Sequence, residues 1–197
     1  MFGQGDIERA VAVRPPFLSM DDAPRASVAT VFAESTAGGT KVLFIERARQ
    51  QGDPWSGHLA FPGGRVDAED ANTQATAARE TWEEIGLDLA QHGSWLGQLD
   101  DLEGPTPSRL ITVSNHAWWL DSCDVEFDLN YEVEDAFWID LEHLVDPDKH
   151  FAYSYPLRPE TDFPAIDLEG RVLWGLTLRL IDKLFDRLDH PLPVRPS

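Results

Sequence analysis

Residues 63–87 read GGRVDAEDANTQATAARETWEEIGL, and the way this stretch folds decides the rest of the chain. From Ala71 to Ile85 the spacing predicts a helix. Glu80, Glu83 and Glu84 stand at i, i+3 and i+4, which puts them on one face. Ala71, Ala75, Ala78, Trp82 and Ile85 gather on the opposite side, where an apolar stripe packs on a sheet. Gly86 suits the left-handed residue that ends a helix. Three carboxylates on one face repel one another, so a counter-charge is needed. Arg79 beside them is one source, and hard divalent cations, which prefer oxygen ligands, are another. A merely solvated acidic face is the plain alternative. Gly63-Gly64 upstream favours a ligand, because a backbone without Cβ atoms can approach closely and offer the Gly63 carbonyl to a metal.

Outward from this helix, Ala26 to Phe32 and Val42 to Ile45 read as two strands, with Gly38 and Gly39 in the turn between them. The stretch ARQQGDPWSGHLAFPGGRVDAED after Glu46 and Arg47 is irregular, with Trp55, Leu59 and Phe61 as apolar anchors for an ordered loop. Further strands are expected at Trp95 to Leu99, Leu110 to Leu120 and Ala136 to Ile139. Leu141 to Val145 reads as a short helix, and Val172 to Leu188 as a longer amphipathic one ending before His190-Pro191. The sequence of 197 residues suffices for one domain over 1–197. Its Pro-bounded ends, 1–16 and 191–197, read as arms free to move or to serve a partner subunit.

Composition narrows the partners. Thirty-five Asp and Glu against 16 Lys and Arg leave a formal net charge of -19, and no basic run is long enough to neutralise a nucleic-acid backbone. A phosphate-bearing small molecule would need cations to mediate its attraction. The lone Cys123 forms no intramolecular disulfide, which fits a reducing, cytoplasmic setting. The opening residues MFGQGDIERAVAVRPP lack the basic start and apolar run of a signal peptide or membrane anchor.

The stretch from Gly64 to Leu87 resembles the Nudix box, G-x5-E-x7-R-E-U-x-E-E-x-G-U, in Arg79, Glu80, Glu83, Glu84, Gly86 and Leu87. Thr81 stands where an aliphatic residue is usual. The first acid is displaced: Asp70 lies six residues after Gly64 and is followed by eight residues before Arg79, so either Asp70 or Glu69 fills that place. The run Gly57-x3-Phe61-Pro62-Gly63-Gly64, the expanded spacing and the segment Val172 to Thr177 are similar to the coenzyme A diphosphatase branch. That branch usually carries an Arg four residues before the first Gly, and here the position holds Asp53.

The resemblance implies an α/β/α sandwich with a mixed, curved sheet, and water attack on a diphosphate assisted by Mg2+ or Mn2+. It makes Glu83 and Glu84 the first metal ligands and Glu80 a further ligand or the catalytic base. Arg79 braces the loop through Asp70 or Glu69. Glu132, in YEVEDAFW, is the second candidate base or a further ligand, with an exposed loop acid as the bland reading. Arg47, Arg49 and Arg109 are candidate phosphate contacts. His58 and Phe61 are candidate substrate contacts, as is Trp55, although anchoring of the loop is the more common role of such aromatic rings. Coenzyme A or a derivative stands first among the implied substrates, with ADP-ribose, a nucleotide sugar or a dinucleotide as the alternative. A ligand sensor without turnover would be expected to lose box acids, and this chain keeps them. Crossed homodimers occur in the family, and the N-terminal arm leaves room for one.

Overall fold

The computed structural model describes residues 2–20, 23–35, 38–50, 55–105, 110–156, 158 and 160–194. In chain order the elements are α1 (Gln4–Ala12), β1 (Arg25–Glu34), β2 (Thr40–Arg47), β3 (Leu59–Ala60), β4 (Gly63–Arg65), α2 (Thr73–Ile85) and α3 (Leu89–His92). They continue with β5 (Gly93–Gln98), β6 (Leu102–Pro105), β7 (Leu110–Leu120), β8 (Val133–Asp140), β9 (His150–Ser154), β10 (Asp162–Leu168), β11 (Arg171–Trp174) and α4 (Gly175–Arg187). Short 3-10 turns at Leu141–Val145 and Pro147–Lys149 join β8 to β9.

Alternation along β2 builds the layers. Val42 and Phe44 point to one side of the sheet and Leu43 and Ile45 to the other, and all four are buried. On the first side α4 supplies Leu178, Ile181, Leu184 and Phe185. On the second, α2 lays Ala77 and Ile85 over Ala29, Val31 and Ala33 of β1. The sheet between them is mixed. Its strands run β3-β2-β1-β7-β5, with β4 paired to β1, β6 to β7 and β8 to β2. The β1–β7 pair is parallel, from Arg25 opposite Thr112 to Ala33 opposite Leu120, and the other pairs are antiparallel. This is the expected α/β/α sandwich with a mixed sheet. Among the described residues no helix is long and apolar enough to cross a membrane.

Three expectations need correction. The segment read as an N-terminal arm forms α1 and packs on its own chain: Ile7 is fully buried, and the Phe2 ring sits 5.7 Å from that of Phe185. Asp100, itself buried, accepts bonds from Arg14 and Arg187 and from the Phe17 amide, which ties the following segment down. Near the other end, Leu192 is buried as well. The second correction is that the region after the 3-10 turns forms a small antiparallel sheet, β11-β10-β9, and Val172 to Trp174 belong to its last strand rather than to the C-terminal helix.

The third concerns the face of α2. Trp82 is 57% exposed, and the side turned inward carries Thr76, Ala77, Thr81, Glu84 and Ile85. The reason is size. The facing side of β1 presents Ala29, Val31 and Ala33, so the helix approaches closely only through small residues, and Trp82 has no space there. Thr81 serves as an aliphatic group, because its hydroxyl donates to the Ala77 carbonyl at 2.7 Å inside the helix.

Candidate active site

The site begins with the helix ends. Asn72 caps α2 by accepting from the Ala75 amide, and Gly86 closes it in the left-handed region at φ 68°. The chain then doubles back, and Asp128 and Asn130 donate their amides to the carbonyls of Ile85 (3.0 Å) and Glu84 (2.9 Å). The Asn130 side chain accepts from the Glu132 amide, and the Glu132 carbonyl accepts from Ala48 at 2.8 Å. The loop that carries Glu132 is therefore moored to the last turn of α2 and to the end of β2.

Upstream, β4 pairs with β1 so that Gly63 faces Val28. A Cβ on Gly63 would strike the Ser27 carbonyl and Val28, and one on Gly64 would strike the Glu80 carboxylate. Both glycines are required by close approach. Gly63 donates its amide to Glu84 Oε2 at 2.8 Å, so its observed contact with the acids is through the N–H.

Glu84 is only 4% exposed, and burial pushes its carboxyl up to about 8. The Gly63 amide and the charge of Arg47 pull it down, while Glu80 and Glu132 raise it further. Burial, opposed chiefly by Arg79, also raises Glu80, and the charges of Glu83 and Glu132 add to it. Glu80, Glu84 and Glu132 thus form one electrostatic group. Glu83 is half exposed at the rim.

Arg79 holds Glu80 and Glu83 in place. Its Nε and Nη2 donate to the two oxygens of Asp70 at 3.0 and 2.9 Å, Nη2 also reaches the Arg65 carbonyl, and Nη1 lies 3.0 Å from Glu80 and 3.1 Å from Glu83. Asp70 further accepts from Thr76 and the Asp67 amide. The Arg79 bonds hold the Asp70 carboxyl well below the usual carboxylate range. Glu69 is exposed, so Asp70 is the acid that braces the arginine.

Among the described residues no three His, Cys, Asp or Glu side chains converge into a ready cation cage. Arg79 instead spans Glu80 and Glu83. The donor set still fits a hard divalent cation, because it is all oxygen and its most buried member, Glu84, is met by the Gly63 amide and the charge of Arg47 beside two further acids.

The remaining candidates separate. Arg47 ends β2, and its charge acts on Glu84. Arg49 and His58 line a cavity of about 730 Å3 together with Tyr153, Tyr155, Arg171 and Trp174. Phe61, a candidate substrate contact, is 2% exposed and stacks on Phe44 at 5.3 Å, so it belongs to the core. Strand alternation turns Leu59 and Phe61 inward together. Trp55 is half-buried, and Arg109 and Asp53 lie outside the described residues. Sequence reasoning missed the aromatic wall, although Phe151, Tyr153 and Tyr155 recur with the period of a strand. It also missed Asp128 and Asn130, whose contribution is through backbone amides and leaves no signature in residue type.

Known proteins resemble this chain in sequence and in fold. The chain is 46% identical over 61 residues to the uncharacterized protein C14C4.10c of Schizosaccharomyces pombe, which covers 30% of this chain and 18% of that protein. It is 28% identical over 171 residues to mitochondrial coenzyme A diphosphatase NUDT8 of Mus musculus, covering 81% of this chain and 76% of that one. In fold it is similar to a MutT/nudix family protein from Enterococcus faecalis, with a TM-score of 0.61 and 16% identity over 96% of this chain and 75% of that one. Residues 23–160 match the NUDIX domain family, and the chain belongs to it as a Nudix hydrolase.

Proposed function

We propose that the protein hydrolyses the diphosphate linkage of a nucleoside diphosphate joined to another group, with a divalent cation, Mg2+ or Mn2+, as cofactor and coenzyme A or a derivative as substrate. The observation that carries this reading is Glu84, a carboxylate buried between the Gly63 amide and the neighbouring acids Glu80 and Glu132. A buried group of acids of this kind is costly to ionise without a cation. A bound cation would supply charge for the phosphate oxygens and lower the pKa of water.

This chain's own residues divide the remaining work. Glu84 and Glu83 would hold the cation, Glu84 from inside and Glu83 from the rim, with the Gly63 carbonyl as a further candidate donor. Glu80, whose proton affinity is raised by burial, takes the proton of the attacking water. Glu132 is the alternative acceptor, brought close by the loop moored to α2. The water oxygen bonds to one phosphorus, the P–O–P bridge breaks there, and two phosphomonoesters leave. Arg79, fixed by Asp70, keeps Glu80 and Glu83 aligned.

The coenzyme A reading is supported by the branch-like Gly57-x3-FPGG run and by the similarity to a protein named as a coenzyme A diphosphatase. The test is a panel of coenzyme A, dephospho-coenzyme A, ADP-ribose, UDP-glucose and dinucleoside polyphosphates, assayed before and after exhaustive chelation. The expected result is the highest kcat/KM for coenzyme A and loss of all turnover on chelation, restored by Mg2+ or Mn2+. Turnover that survives chelation overturns the cation's role, and a higher value for ADP-ribose or a nucleotide sugar overturns the choice of substrate.

A further inference from the structure

The cavity beside β3 is walled by rings that the hydrolytic group does not use. Trp174 lies 4.5 Å from Tyr155, 5.1 Å from His58 and 5.3 Å from Tyr153, at interplanar angles of 41°, 66° and 59°. None of these pairs is stacked flat, and all four rings line the same space. Its volume, about 730 Å3, falls in the range of roughly 300–1,000 Å3 of sites that hold a small molecule. Two guanidinium groups also line it. Arg171 is engaged, since it bonds Glu46 and Asp135 and lies 4.2 Å over the Phe137 ring. Arg49 is exposed and makes no ion pair among the described residues, in a chain with only 16 Lys and Arg.

The cavity and the acids are linked through β2. Arg47 donates its amide to the His58 carbonyl at 3.1 Å across β2 and β3, and the charge of Arg47 acts on Glu84. Neighbouring residues of β2 thus reach both, Glu46 as part of the cavity lining and Arg47 through its charge on Glu84. A ligand spanning the two must carry an anionic part for the cation and a flat, polarisable part for the rings.

We propose that this cavity seats the nucleobase of the diphosphate compound, stacked on Trp174 and Tyr155, with Arg49 facing phosphate carried by the same nucleoside. The inference rests on the nucleotide-linked diphosphate named above as substrate. Aromatic faces accept any base, because every base has a π-face, so these rings supply affinity for the nucleoside and leave the chemistry to the acids.

The probe is AMP, titrated into the full chain without divalent cations and followed by tryptophan fluorescence and equilibrium dialysis, with ribose 5-phosphate as the control without a base. AMP is expected to saturate a site, and Trp174→Ala and Tyr155→Ala to weaken it roughly 10- to 100-fold. Trp174→Phe is expected to restore most of the affinity, and none of the three to alter ribose 5-phosphate binding. In turnover assays the alanine variants should raise KM and spare kcat. Tyr155→Ala keeps the test valid if Trp174→Ala unfolds the small sheet. Failure of AMP to bind, or equal binding by wild type and both alanine variants, overturns the assignment. Hydrolysis with KM unchanged in both alanine variants overturns it while leaving the proposed reaction intact. AMP binding through Trp174 without any diphosphate turnover supports the pocket and refutes the reaction.

Discussion

Arg79 and Asp70 meet in a two-bond clasp, Nε to Oδ1 at 3.0 Å and Nη2 to Oδ2 at 2.9 Å, with Asp70 almost fully shielded from water. The same guanidinium touches Glu80 and Glu83 through Nη1. Whatever loosens the clasp therefore reaches the carboxylates proposed to serve hydrolysis. Asp70→Asn is expected to lower kcat at least tenfold and to cost about 1–3 kcal/mol in unfolding free energy through the lost charged bonds. Glu69→Gln, at an exposed position, is expected to change neither. Steady-state kinetics and denaturant unfolding of the two variants check this, and equal effects would show that the brace is shared.

The raised carboxyl of Glu84 makes stability depend on pH. Between the ordinary value near 4.5 and about 8 the folded chain keeps a proton that the unfolded chain has released. Without divalent cations, stability should fall as pH rises through that window. Glu84→Gln should flatten the slope. Mg2+ added at pH 8 should raise the wild-type Tm more than that of the variant. Thermal melts from pH 4.5 to 8.5 decide it, and parallel curves for the two proteins would refute the burial effect.

Trp82→Ala tests the orientation of α2. With Trp82 57% exposed, the substitution should shift stability by less than about 1 kcal/mol, and the better helix propensity of alanine helps offset lost contacts. Ala77→Leu, on the closed face against β1, should cost about 1–3 kcal/mol by overpacking. Chemical denaturation of both ranks them, and a larger loss for Trp82→Ala would mean that the helix is rotated.

Gly64→Ala should separate catalysis from folding. An added methyl would drive the Glu80 carboxylate from its place, and that side chain has a flexible end that can move aside. The expected result is a loss of about 100-fold in kcat with little change in Tm, since a misplacement near 1 Å can cost that much. Unaltered kcat would remove Glu80 from the reaction.

Much of this was legible in the residues. The alternation in Val42 to Ile45 and the i, i+3, i+4 acids of α2 are local patterns, and local patterns fix strands and helix faces directly. What failed depended on something outside the segment. Trp82 looks like a core residue until the small side chains of β1 are known to face it. Phe61 looks available until β3, which it follows, is paired to Ile45 and Glu46. Strand β10 was hidden by Pro164, which lies beyond the end of β11 and pairs only with Ala152 of β9, a place where a missing N–H is harmless. The choice between Asp70 and Glu69 likewise required the path of the chain between β4 and α2.

The mooring of residues 128–132 on the last turn of α2 has a mechanical consequence. Helix ends ordinarily fray, each terminal carbonyl opening independently of the rest of the fold. Here the carbonyls of Glu84 and Ile85 are closed by amides of the segment that carries Glu132, so the end of the helix and the position of Glu132 open and close as one event. Hydrogen exchange at Asp128 and Asn130 should proceed at a single shared rate, slowed alike by anything that fills the acid cluster. A ligand gripping Glu84 would thereby stiffen Glu132 without touching it.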